Sequence, residues 1–551
     1  MTNDLRTLLK AAMDAHRSQN LDEAERLGRE VLSQDPEQID ALHLLGAIAH
    51  QRGDQAAAIA AISAAVARKP SSAALHRSLA HAYRAATDSA KAAEHYSRAI
   101  DLEPGDAKTH FSLAAILGEQ GDFAGAALHG EHAVSLNPQD IKAHCLLAYA
   151  LQSQNKLEDA AARYEQALTL DPRLAEAFNN LGLIYRTLGD LPRALANLEG
   201  ALEIKPDYAD AHYNRGLVLE SLERLEEALA SYTRATDLAP GHVDAQWNEG
   251  LLRLLFGDYA RGWAKYEARA RRGVTARVPT PPWTGETAPG KTLLIHTEQG
   301  FGDTIQFIRY VAAIRDRVGR MIVQCDPKLM RLLQSVSGVD QVIPRGEPVV
   351  FDIHLPLMSL PFIAGTTVQT IPTPIPYFQP APADVEKWRN RLKPELNVGL
   401  VWRGDPANAI YARKIVPPDM LANILAAAPV NWVSLQIDAA PDELRALAAS
   451  GGHIDDLGRE LSDWADTAAL VSSLDLVIAI DTAVAHLAGA LGRPCWIMLP
   501  AIPDWRWLLE RNDSPWYPST TLFRQQTAGD WAPVLQDIQA ELRAIVPRPR
   551  V

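Results

Sequence analysis

Cysteine is scarce in this chain of 551 residues: Cys145, Cys325 and Cys495 are the whole set. Three residues, odd in number and far apart, argue against a disulfide framework and against a cysteine-built zinc site. Basic charge is also short. Lys+Arg 54 against Asp+Glu 67 leave a net charge of −13 and a pI near 5.7. That balance disfavours a dedicated nucleic-acid binder, which needs a cationic surface for phosphate. No uncharged apolar run approaches the ~20 residues that span a bilayer. The opening MTNDLRTLLKAAMDAHRSQN is broken by charge and has no apolar signal-peptide core. The expectation is a reduced, soluble, cytoplasmic protein without a membrane span. What the chain has is enough apolar content, 47% against 22% charged, to build sizeable cores rather than remain disordered. Its length predicts three to four domains at ~100–200 residues each.

The first half is periodic. Prolines stand at Pro36, Pro70, Pro104, Pro138, Pro172, Pro206 and Pro240, every step 34 residues. Ala24, Ala58, Ala92, Ala126, Ala160, Ala194 and Ala228 keep the same step, and Gly46, Gly182, Gly216 and Gly250 share another register with Ala80, Ala114 and Ala148. The spacing predicts two antiparallel helices per repeat. Small residues let the helices touch, and proline follows the second helix, where a helix must stop. Over about residues 5–272 this pattern resembles the tetratricopeptide repeat (TPR): seven units plus an eighth, in which Gly262 replaces alanine and no proline closes the unit on schedule. An α-solenoid of this kind presents a curved groove suited to peptide. Asn180, Asn214 and Asn248 share one register of the first helix, after Ser78 and Ser112. Amides so spaced can bond an extended peptide backbone; the other reading is that Asn is simply common at that repeat position. In this ladder alone the half resembles the repeat-fused O-linked N-acetylglucosamine transferases.

After Arg272 the period changes. VTARVPTPPWTGETAPGK is a Pro/Gly/Thr-rich linker. Short apolar runs then alternate with helix-like stretches: TLLIH, MIVQC, QVIP and FDIHLPL, then, past a second breaker-rich segment, NVGLVW, NWVSLQ, HIDDLG, DLVIAID, PCWIMLP and TLFRQ. That alternation predicts parallel α/β architecture. The expected domains are a TPR solenoid over 1–272, a linker over 273–290, two facing Rossmann-like domains over 291–394 and 395–530, and a crossing terminal helix over 531–551. Ligand belongs in the cleft at the carboxyl ends of the strands.

Two loops carry chemistry. In HTEQGFGDTIQF, Gly300 and Gly302 allow a tight turn beside a ligand, and Asp303 is either a helix cap or a general base; Ile305 breaks the dinucleotide GxGxxG pattern. In DLVIAIDTAVAHLAGALGRP a strand runs into a helix at Asp481 and Thr482, whose free N–H groups form an anion site. His486 lies one turn along the same face, as a phosphate contact or a packing residue.

Together, EQGFGD and DTAVAHLAGALGRP resemble the bacterial heptosyltransferase-type glycosyltransferases, which have the two-domain GT-B fold. The likeness covers about 290–530. It is closer still to bacterial proteins that fuse TPRs to this module, where VGLVW, SLQ, ADTAAL, DTAVAHLAGALG, PDWRWLL, DSPWYP and LFRQ follow in this order. Some of those fusions modify flagellin with nonulosonic acid sugars. The resemblance implies Asp303 as base and Thr482, Ala483 and His486 at the donor phosphate. It implies Lys414 as the cation for the leaving phosphate, with Arg413 the runner-up and Ile415 where relatives tend to have Ser. Gln299, Gly300, Gly302, Trp402, Arg403, Gln436, Asp481 and Arg506 complete the donor side, with Asp504 and Trp516 in loops nearby. It further implies a metal-independent transferase with no cofactor beyond its nucleotide-sugar co-substrate, since protein supplies the cation and no DxD motif stands near a strand end. The expected function is transfer of sugar from a nucleotide donor to a hydroxyl on a protein acceptor, flagellin among the options, held by Asn180, Asn214 and Asn248. The alternatives are a heptosyltransferase-like enzyme acting on lipopolysaccharide or another glycan, and a non-catalytic TPR adaptor or chaperone with a decayed second half.

Overall fold

The computed structural model describes residues 3–273, 278, 280–404, 414–449 and 451–546. The chain forms two compact units, Met1–Leu222 and Glu223–Val551.

The first unit is helical. From Ile39 onward, helices of 13 residues alternate with helices of 14, from Ile39–Gln51 and Gln55–Arg68 to Leu191–Ile204 and Ala209–Ser221. The 34-residue alanines are the reason they pack: Ala24, Ala58, Ala92, Ala160 and Ala194 are all completely buried. At Gly182 a Cβ would lie 2.5 Å from Leu198 Cγ of the next helix, so only glycine allows that approach. The 14-residue helices stop two residues before each proline, as at Gln34 before Pro36, because the residue preceding proline avoids the helical region. Two further 34-residue features emerge. His76, His110, His144 and His212 each donate Nε2–H to a proline carbonyl, of Pro70, Pro104, Pro138 and Pro206, at 3.0 Å. The joint between the helices of a pair adopts positive φ at Gln19 (62°), Gly53 (84°), Thr87 (61°), Gly121 (81°), Asn155 (60°) and Gly189 (81°).

The second unit opens with helices Leu225–Leu238, Val243–Leu255 and Tyr259–Tyr266 and the 3₁₀ turn Glu267–Ala270. The end of the repeat series thus belongs to the same compact unit as the α/β half, instead of dividing from it near residue 272. The eighth unit is curtailed, its second helix being 8 residues long.

Ten strands follow among the described residues, each paired with its neighbours in parallel: β1 (Ala288–His296), β2 (Val318–Cys325), β3 (Gln341–Pro344), β4 (Ile353–Pro356), β5 (Asn397–Val401), β6 (Asn431–Ser434), β7 (Ile454–Asp456), β8 (Leu476–Ile480), β9 (Cys495–Leu499) and β10 (Thr520–Arg524); an isolated antiparallel bridge joins Asp513 to Thr521 of β10. They make two sheets, ordered β3-β2-β1-β4 and β10-β9-β8-β5-β6-β7. β5 and β8 are buried along their whole length, as expected for parallel strands covered on both faces. Two expectations change. The linker is partly packed: Trp283 is 1% exposed and its backbone N–H donates to the His354 carbonyl of β4 at 2.8 Å. The terminal helix Ala532–Ile545 does not cross to the first sheet; Val534, Leu535, Ile538 and Leu542 join the core of the second, beside Val398, Leu400 and Leu421. All twelve tryptophans fall between Trp247 and Trp531, inside the second unit.

Candidate functional site

A cavity of about 650 Å³ opens where the carboxyl ends of the two sheets meet. Gln299, Gly300, Gly302 and Asp303 reach it from the end of β1, Arg403 from β5, Gln436 from β6, and Asp481, Thr482, Ala483 and His486 from β8; Lys414, Asp504 and Arg506 complete the set. The sequence-derived donor and base residues therefore converge, with one exception. Trp402 is completely buried in the core of the second sheet with Val398 and Leu400, its Nε1–H donating to Glu443. Strand alternation explains the error: residues 398, 400 and 402 share the core face, whereas Val401 and Arg403 face the cavity. Trp516 is likewise buried, packed on Phe307 and Trp505. Arg413 lies outside the described residues.

Asp303 sits in the first turn of helix Phe301–Phe307 and accepts the Gly300 N–H at 2.8 Å. Its other oxygen takes the guanidinium of Arg506, which also donates to Gln306 and Asp504. Burial pushes the Asp303 carboxyl up, and Arg506 pulls against it without prevailing. Asp303 is thus cap and ion-pair partner together, and a carboxylate of raised basicity.

Across the cavity, Lys414 Nζ lies 2.5 Å from Asp481 Oδ2, with side chains 13% and 7% exposed. Burial alone would raise the Asp481 carboxyl; the Lys414 ammonium outweighs it and holds the group below the usual range. His486 stacks on Trp507, shares a hydrogen bond at 3.0 Å between Nδ1 and the Tyr517 hydroxyl, and has Nε2 3.8 Å from Asp481. Burial lowers its pKa to about 3, so near neutrality it is an uncharged imidazole and adds no cation to a phosphate. Helix Ala483–Ala490 starts at the cavity wall without a side-chain cap: Thr482 directs its hydroxyl to the Ile480 carbonyl, which leaves first-turn N–H groups for an anion.

Gly302 also lets this helix approach closely. A Cβ there would lie 3.0 Å from His486 Cδ2 and 3.4 Å from Ala483 Cα. Arg403 is tied by Glu443 at 2.7 and 3.1 Å and by Asp438 at 2.8 Å, and Gln436 donates to Asp438 at 2.8 Å. Sequence reading passed over the cavity residues Asp326, Arg345 and Asp438. No motif marks them, yet Asp326 and Arg345 directly follow β2 and β3, and Asp438 lies four residues past the end of β6, where ligand contacts of parallel sheets are found.

In the first unit the Asn register is not a row of open amides. Asn180 donates to the Tyr164 hydroxyl at 2.9 Å and accepts from Asn179, whose carbonyl accepts from buried Asn214 at 2.8 Å. Buried amides find partners inside the repeat stack before any peptide arrives. Asn248 belongs to the second unit.

None of the described helices is long and apolar enough to cross a membrane. Protein FlbA of Caulobacter vibrioides is 28% identical over 325 residues, 53% of each chain, so this chain spans about half the length of the curated relative it matches. Solved structures that the chain matches include YrrB, a TPR protein with an unusual peptide-binding site (22% identity, 33% of this chain and 95% of that one, TM-score 0.31). MamA (22%, 30% and 97%, 0.29) and a tetratricopeptide repeat protein from Parabacteroides merdae (15%, 46% and 99%, 0.33) are others. Family descriptions of the tetratricopeptide repeat match residues 9–73, 77–141, 149–189, 182–223 and 209–242. The helical series described above is therefore one of tetratricopeptide repeats.

Proposed function

We propose that this chain is a glycosyltransferase of the GT-B type that moves a sugar from a nucleotide donor to a hydroxyl of a protein acceptor. One observation carries the reading. A half-buried carboxylate of raised basicity, Asp303, shares a 650 Å³ cavity with an uncapped helix start and the Lys414 ammonium. That is the equipment for removing a proton from an acceptor and receiving a departing phosphate in one enclosure. Asp303 takes the hydroxyl proton. The first-turn N–H groups of Ala483–Ala490 and Lys414 meet the charge that grows on the leaving phosphate. His486 contributes as a neutral hydrogen-bonding ring. The tetratricopeptide repeats hold the polypeptide acceptor, flagellin being one candidate and a nonulosonic acid one candidate sugar.

The test is mass spectrometry of polypeptides co-purified with the full-length chain after incubation with nucleotide sugars, with calorimetry of nucleotide binding in EDTA. Sugar on a partner polypeptide and metal-free binding support the reading. Absence of binding by every nucleotide and nucleotide sugar tried overturns it.

A further inference from the structure

We propose that the segment Tyr259–Ala270, which ends the repeat series, is the brace of the cavity, and that Tyr266 and Arg269 are positioning residues for Asp303. The inference rests on the functional reading above only for what the cavity does, and not for how its loop is held.

Three consecutive loop residues carry it. Glu298 accepts from Arg269 Nε and Nη2 at 3.0 and 2.9 Å. Gln299 donates its amide to the Tyr266 hydroxyl at 3.2 Å. Gly300 gives its N–H to Asp303. The Arg269 guanidinium is completely buried and is also held by Glu267 and by the Ser359 hydroxyl at 2.6 Å. Tyr266 is 1% exposed, and its hydroxyl faces Met358 Sδ at 3.8 Å. Between these two anchors Gln299 holds φ +60°, a conformation that side-chain-bearing residues keep only when their surroundings impose it.

The same helix backs the other grip on Asp303. Trp263 meets Trp505 edge-on at 5.2 Å between ring centroids, and Tyr266 meets it at 6.1 Å. Trp505 directly precedes Arg506, whose guanidinium holds the Asp303 carboxylate. One short helix and its 3₁₀ turn thus support both loops that fix Asp303, one after β1 and one after β9. Apolar contact would dock this helix at less desolvation cost than a completely buried arginine. What the guanidinium fork adds is direction: it sets the orientation of Glu298 and with it the path of the next two residues. The curtailed eighth unit, with its 8-residue helix, has the shape of a brace instead of another peptide-holding repeat.

The experiment uses the full-length chain with Tyr266→Phe and Arg269→Lys. Hydrogen exchange is followed at residues 297–306, alongside tryptophan-monitored unfolding, donor affinity, and kcat and KM for transfer or donor hydrolysis. Tyr266→Phe removes the hydroxyl, with its bonds to Gln299 and Met358, and keeps the ring, so exchange in the loop should quicken by about threefold to tenfold. kcat should fall by a similar factor while donor KM stays within about twofold and the unfolding midpoint is kept. Arg269→Lys should act in the same direction more strongly. Should Arg269→Lys not fold, the pair Arg269→Met with Glu298→Gln removes both charges and replaces it, again with a faster-exchanging loop expected. Unchanged loop exchange in the folded variants overturns the brace. If the wild-type chain transfers no sugar, the functional reading fails, and the exchange data still decide this one.

Discussion

Replacing either partner of the Lys414–Asp481 pair should separate structural electrostatics from donor recognition. The pair is short, 2.5 Å, and nearly excluded from solvent, at 13% and 7% exposure. At an effective dielectric constant near 20 its gross attraction is about 6–7 kcal/mol. The desolvation of two ions consumes most of that. Removing Lys414 leaves the Asp481 carboxylate buried without its cation, a loss of about 3–5 kcal/mol. Removing both should cost much less than the sum, so a double-mutant cycle of Lys414→Met and Asp481→Asn should give a coupling of at least ~2 kcal/mol. All twelve tryptophans lie in the second unit, so tryptophan emission during urea unfolding follows that unit alone and the repeats of the first do not blur the transition. Donor binding is the second readout. Lys414→Met should weaken nucleotide affinity more than about tenfold, the scale of one lost charge-assisted hydrogen bond. Asp481→Asn should not weaken it, because it removes a competing anion. A coupling below ~1 kcal/mol refutes the buried pair. Equal losses of donor affinity in the two single variants refute Lys414 as the phosphate cation.

Asp303→Asn should lower turnover by ~10²–10⁴ with donor affinity near wild type; full activity would reduce Asp303 to the cap of Gly300. His486→Ala should weaken donor binding by only ~0.5–1.5 kcal/mol, the worth of a neutral hydrogen bond, and wild-type donor affinity should show no histidine titration between about pH 5 and 8, because the buried ring stays neutral. A chain of residues 223–551 should bind nucleotide like the full-length protein, whereas 290–551 should bind poorly in calorimetry, since it lacks Trp263, Tyr266 and Arg269. In the first unit, burial lowers the pKa of His95, His110 and His129 from 6.5. The folded state therefore keeps them neutral while the unfolded chain binds protons, so their contribution is complete above pH 6.5 and is lost as pH falls below it. Circular-dichroism melts of residues 1–222 should drop between pH 7.5 and pH 5.5 and drop less after His95→Phe with His129→Phe.

The described strands fall on short runs legible in the sequence, most clearly β5 and β8, because parallel strands buried on both faces need an apolar side chain at nearly every position; β7, with two aspartates, follows the pattern least. The repeats were legible because close helix contact tolerates only alanine or glycine at a fixed spacing, as Ala194 and Gly182 show. Side-chain direction and pairing were less so. Trp402 was misplaced since a tryptophan at a strand end can turn to core or cleft, and only the face shared with Val398 and Leu400 decides. The engagement of Lys414 by Asp481 joins residues 67 positions apart, and no local pattern encodes that meeting. The neutral state of His486 is not legible locally, because the burial that imposes it is a property of the assembled core. The role of Arg269 was hidden for the same reason: its partners Glu298 and Ser359 lie 29 and 90 residues away.

The left-handed joints of the first unit alternate in kind. Gly53, Gly121 and Gly189 occupy every second joint at φ 81–84°, and Gln19, Thr87 and Asn155 occupy the others at 60–62°. Glycine takes this conformation freely and asparagine tolerates it, whereas other side chains there cost on the order of 1–2 kcal/mol, most acutely the β-branched Thr87. Alternate joints are therefore intrinsically weaker, and local opening of the array should start at them. The expected unit of cooperative opening is then two repeats and not one, with the joints at Gln19 and Thr87 giving way first.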